Sequence, residues 1–133
     1  MQNTNKYLTR SVSYLLVLGF LLCFSTVVQA SGRPVSCPPN IPWCGCWLAD
    51  YFHILEPKRF RRLWVARNWV YEGSPAAKGC IGCVAVLRRG KGGHVGVVVD
   101  WQGNDPVIKS GNHNNAVGVG RYSAGLLLAL RQL

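Results

Sequence analysis

Residues 81–101 read IGCVAVLRRGKGGHVGVVVDW. Two apolar, valine-rich runs, Ile81 to Leu87 and His94 to Trp101, flank the polar break Arg88-Arg89-Gly90-Lys91-Gly92-Gly93. Short β-branched runs separated by glycine are strands joined by a tight connection. The same grammar continues towards the C-terminus. Gln102 to Pro106 reads as a turn, Val107 to Ser110 as a third strand, Ala116 to Tyr122 as a fourth and Leu126 to Leu130 as a fifth. Before residue 81 the period is helical. Trp43, Trp47, Leu48, Tyr51 and Phe52 give the i, i+4, i+5, i+8 spacing of an amphipathic helix over Trp43 to Ile54, with Pro42 where a first turn tolerates proline. After a break at Glu56-Pro57, Arg59 to Tyr71 is a second helical pattern, and Gly73 to Gly79 is a turn-rich loop. Helices followed by an antiparallel meander predict an α+β domain with the helices on one sheet face.

The first thirty residues belong to a different problem. Lys6 and Arg10 form a positive n-region, Tyr14 to Phe24 is an unbroken apolar run, and Val28-Gln29-Ala30 puts small residues at −3 and −1 of a cut before Ser31. This is the pattern of a signal peptide over residues 1–30, and its apolar run is short for a membrane span. Cys23 follows Leu21-Leu22, which is unlike the small residues that precede a lipidated cysteine. The expectation is a secreted or periplasmic domain over 31–133, monomeric, with no stable membrane anchor after cleavage and an extended, proline-rich lead-in over 31–42.

That exported chain would have 103 residues, with 13 Lys and Arg against 5 Asp and Glu, a net charge of +8. So small a domain buries a modest core and gains from covalent staples. Its charge points to polyanions: peptidoglycan or another anionic cell-wall polymer. Export argues against nucleic acid as the partner.

Five cysteines follow the signal: Cys37, Cys44, Cys46, Cys80 and Cys83. An odd number in an oxidising compartment leaves at least one thiol unpaired. Cys44 opens the first predicted helix, where free amides and the helix dipole favour a thiolate and can stabilise an oxyanion. Among the three histidines, His94 begins a strand after a Gly-Gly pair, while His53 lies late in the helix and His113 in a polar loop. A thiol with an imidazole base is the arrangement of nucleophilic acyl transfer.

Trp43-Cys44 opening a helix, Gly93-His94-Val95-Gly96-Val97-Val98 after a glycine-rich turn, and Ser110-Gly111-Asn112 ending the next strand together resemble the NlpC/P60 and CHAP superfamily. The likeness is greatest to a small branch with Pro-Trp-Cys, then Gly-His-Val-Gly, then Gly-Asn. It covers Pro42 to Tyr122, including Ala66-Arg67-Asn68-Trp69. The resemblance implies a papain-like fold and a cysteine peptidase or amidase that cleaves amide bonds in peptidoglycan without a cofactor or metal. It implies Cys44 as nucleophile, His94 as base and Asn112 as the group orienting the imidazole. An amide oxygen can accept the proton on the distal ring nitrogen, and adjacent strands lie about 5 Å apart. His113 is the rival third member.

Two positions depart from the family pattern. Gly82-Cys83 stands where its strand usually begins Gly-Asp, and Cys46 stands where a small or aromatic residue is usual. Both departures are cysteines, which favours a bridge from Cys46 on the helix to Cys80 or Cys83 on the sheet. A local Cys80–Cys83 link is the alternative. Cys44-x-Cys46 with Cys80-x-x-Cys83 also reads as four thiolate ligands of a structural zinc. The runner-up function is therefore a non-catalytic, disulfide- or zinc-stapled cationic module that binds wall or lipid polyanions. The five tryptophans and the run Lys58-Arg59-Phe60-Arg61-Arg62 would suit it, although tryptophans at helical spacing are usually core.

Overall fold

Helix α1 runs Cys44–Tyr51 and stops because His53 turns the chain into the left-handed region, φ 53°. The Ile54 amide donates to the Ala49 carbonyl and the His53 amide to that of Asp50, the paired bonds of a Schellman ending. Glycine usually marks this ending; histidine fills it here, and the helix is correspondingly shorter than its apolar spacing predicts. The computed structural model describes residues 32–133, so the expected signal peptide lies outside the described residues. Cys44 to Ala49 are all buried. A Cβ on Gly45 would overlap the Leu63 carbonyl oxygen, so only glycine allows this close approach.

The second helical pattern is two pieces: α2, Pro57–Arg62, and a 3-10 helix, Ala66–Tyr71. Val65 is extended between them. Two side chains hold the break by satisfying freed carbonyls. Asn68 Nδ2 donates to the Arg62 carbonyl at 2.7 Å, and the buried Trp69 Nε1 donates to that of Leu63 at 3.0 Å. Glu56 caps α2 by accepting from the Lys58 and Arg59 amides, with Pro57 at the first helical position. Buried Glu72 receives Arg59 at 2.6 Å and also Arg62, clamping α2 to the end of the 3-10 helix.

Six strands form one antiparallel sheet: β1 Ser74–Pro75, β2 Val84–Leu87, β3 His94–Gln102, β4 Asp105–His113, β5 Ala116–Arg121 and β6 Leu127–Gln132, in the order β1-β6-β2-β3-β4-β5. The α+β class is as expected, but a plain meander is not: β6 leaves β5 and returns to pair with β2, making β2 and β3 central. Their near-continuous apolar sequence fits that position. Val84, Val86, Val95 and Val97 face α1 and the other helical segments. Ala85, Leu87, Val98 and Ile108 face the opposite way, under Trp101, Tyr122, Leu127 and Leu130. Trp43, Trp47 and Trp69 are core residues.

The disulfides are Cys37–Cys46 and Cys80–Cys83, and Cys44 is free. The expected helix-to-sheet bridge is not made. Cys46 instead pins the lead-in to α1, and Cys80–Cys83 closes the turn that delays β2 to Val84. The zinc reading fails on the same observation, because three of its four sulfurs are consumed in disulfides.

Candidate active site

Cys44 is the first residue of α1 and is 2 % exposed. Burial raises its thiol pKa, while the amides of Val95, Gly45 and Cys44 itself, with the Arg89 charge, oppose that rise. Cys44, His94 and Asn112 line one cleft of about 570 Å³, between α1 with the Trp64–Ala66 turn on one side and the β2–β3 hairpin on the other. Among the described residues no hydrogen bond joins the Cys44 thiol to the imidazole.

His94 is 1 % exposed and held at both nitrogens. Its Nε2 lies 2.9 Å from Ser110 Oγ and 3.2 Å from Tyr122 Oη, and its Nδ1 lies 3.5 Å from Arg89 Nη1. These contacts select a tautomer. A guanidinium only donates, so Nδ1 carries the lone pair and the Nε2 proton is shared towards the two hydroxyls. Burial, then the Arg89 charge, then His113 push the imidazole pKa down to about 4. At neutral pH the pair is thus a thiol and a neutral imidazole, with the basic lone pair on the nitrogen nearer Arg89.

The orienting contact foreseen for Asn112 is made by Ser110, two residues earlier. The reason is local. Pairing of β4 with β5 is irregular between Ser110 and His113, and Asn112 sits there with φ 54°. Bulges of this kind bend a strand and re-aim its side chains. Asn112 lines the cleft but is not among the hydrogen-bond partners of His94. His113 is one step removed: its Nδ1 lies 3.2 Å from Tyr122 Oη, which in turn meets His94.

Ser110 approaches closely because its neighbour on β3 is Gly96. A Cβ at Gly96 would come within 2.8 Å of Ser110 Cβ and 2.5 Å of Ile108 Cγ2. Sequence reasoning missed Ser110, Tyr122 and Arg89 as site residues. Strand alternation held a signal for the first, since His94, Gly96 and Val98 share a face with Ile108 and Ser110. The register between β3 and β4 shifts between Val98 and Asp100, however, and nothing in the sequence marks that shift.

Comparison of the chain with family models, with curated proteins and with solved structures returns no match.

Proposed function

We propose that this protein is an exported cysteine hydrolase that cleaves amide bonds in peptidoglycan, with Cys44 as nucleophile and His94 as base. The observation that carries the reading is the meeting, in one cleft, of the free cysteine at the start of a helix and a buried histidine anchored through its distal nitrogen. The resemblance of the Pro-Trp-Cys, Gly-His-Val-Gly and Gly-Asn segments to NlpC/P60 and CHAP proteins supplies the substrate and the papain-like architecture.

The resting charge state defines the chemistry. With thiol and imidazole both neutral, attack is general-base assisted: His94 Nδ1 takes the thiol proton as sulfur bonds to the carbonyl carbon. The oxygen charge then developing is met by the Cys44 and Gly45 amides at the start of α1, two of the groups that already oppose the rise in the Cys44 pKa. Imidazolium next gives its proton to the leaving amine. Water, activated by the same nitrogen, hydrolyses the thioester. Ser110 and Tyr122 keep the ring in the productive tautomer throughout.

Digestion of purified peptidoglycan by the protein and by Cys44→Ala, with products identified by mass, tests this. New amine and carboxyl ends should appear only with intact Cys44. Products that persist in Cys44→Ala, or no products from either protein, would reject it. The disulfide-stapled binding module instead expects undiminished wall binding and no cleavage by both.

A further inference from the structure

The acidic residues of the chain number five, and every one is engaged away from the cleft. Glu56 caps α2, Glu72 holds Arg59 and Arg62, and Asp105 holds Arg121 at 2.7 Å. Asp50 accepts from Ser36 Oγ, and Asp100 from the Trp101 amide. The cleft, by contrast, is lined by Arg61, Arg89 and Lys91, and among the described residues none of the three has a carboxylate partner. Arg61 lies on the same helix as Arg59 and Arg62, which share the single carboxylate of Glu72. Three unpaired cations in a concave, partly apolar pocket are poised for an anion that arrives with the substrate.

Arg89 stands closest to the chemistry. Its Nη1 is 3.5 Å from His94 Nδ1, the nitrogen that must accept the Cys44 proton. A guanidinium matches a carboxylate with two parallel hydrogen bonds, far better than it matches one ring nitrogen. Ile41, Pro42, Val65 and Ala66 line the same cleft, which fits an acid carried on a small aliphatic peptide rather than bare phosphate.

We propose that Arg89, with Arg61 and Lys91, forms a subsite for a substrate carboxylate next to the scissile amide, and that Arg89 leaves His94 Nδ1 when that carboxylate binds. The subsite deepens the hydrolase reading above and rests on it for the identity of the amide. Arg89 is thereby a positioning residue: it couples recognition of an acidic substrate to exposure of the base.

The experiment uses the full-length protein carrying Cys44→Ala, so that nothing turns over, at physiological salt. Two probe pairs are titrated: muropeptides with free or chemically amidated carboxylates, and a short synthetic peptide with glutamate or glutamine at one position. Free acids should bind at least about tenfold tighter than their amides, and Arg89→Gln should erase that ratio. Lys78→Gln, which removes an equal charge beside Asn104 and outside the cleft, should preserve it. NMR of the His94 ring should show the Nδ1 environment changing with the acid and not with the amide; in Arg89→Gln it should already be changed in the free protein. Equal binding of acid and amide overturns the subsite while leaving the cell-wall reading standing. Binding of the glutamate peptide with no binding of muropeptides supports the subsite and rejects the wall as substrate. Inorganic phosphate that competes as well as the acids, or a ratio unchanged in Arg89→Gln, overturns the proposal.

Discussion

At His94 two demands meet: the proposed role of base needs a ring that is neutral at working pH, and a buried ring resists protonation. The second enforces the first, since burial with Arg89 and His113 nearby brings the pKa to about 4. Ser110 faces the ring from β4 and Tyr122 from just beyond β5, Arg89 faces it from the β2–β3 hairpin, and Cys44 shares its cleft from α1. The acid limb of kcat/KM should therefore lie near pH 4 rather than near 6.5, the ordinary value for histidine. An acid limb near 6.5 in a pH–rate profile would contradict the buried geometry. Stability carries the same signature. The unfolded chain protonates at about 6.5 and the folded one only near 4, so stability is full above the first value and falls as pH drops towards the second. Between pH 7 and 4, urea titrations should show the native protein losing about 3 kcal/mol more than His94→Gln does. Ser110→Ala should lower turnover about tenfold, by loosening the ring, at a stability cost of about 1 kcal/mol. Asn112→Ala should lower it less. The reverse order in kcat would return the orienting role to Asn112.

At the level of elements, the helix that begins with Cys44 is short but heavily constrained. It is wedged so that six of its eight residues are buried, and it is tied to the lead-in by Cys37–Cys46. The bridge closes a loop with a sequence separation of 9, whereas Cys80–Cys83 closes one of only 3. By loop entropy the first is the more stabilising, and replacing Cys37 and Cys46 by alanine should cost about 2–3 kcal/mol. Replacing Cys80 and Cys83 should cost less, as denaturant midpoints of the two double variants would show. The first pair should also broaden Cys44 reactivity towards alkylating reagents, because its loss frees the chain that leads into α1.

For the molecule as a whole, charge dominates. The five acids are engaged by the protein's own donors, so the net charge of +8 expected for residues 31–133 is carried as an excess of cations, which the proposed function directs at a polyanion. Adsorption to wall fragments should weaken as salt rises, since exposed charges are screened within about 8 Å at physiological ionic strength. Sedimentation with wall fragments at low and high salt measures this, and binding indifferent to salt would point to pocket contacts instead. Among the described residues no helix is long and apolar enough to cross a membrane.

The sequence alone determined the helix-then-strand order, the α+β class and the odd cysteine, and it singled out Cys44 and His94, which the fold brings to one cleft. Those properties are local: a hydrophobic period, a glycine-rich turn, a count of sulfurs. Tertiary structure decided the rest. The return of β6 to β2 and the cysteine partners depend on which distant segments share a core, and spacing along the chain does not specify that. The exchange of Asn112 for Ser110 beside the imidazole came from register shifts in β3 and β4, because strand side chains alternate with period two and one extra residue changes the face. Arg89, read from the chain as part of a polar turn, became a neighbour of the His94 ring only when β2 and β3 paired Leu87 with His94 and folded the hairpin back over the cleft.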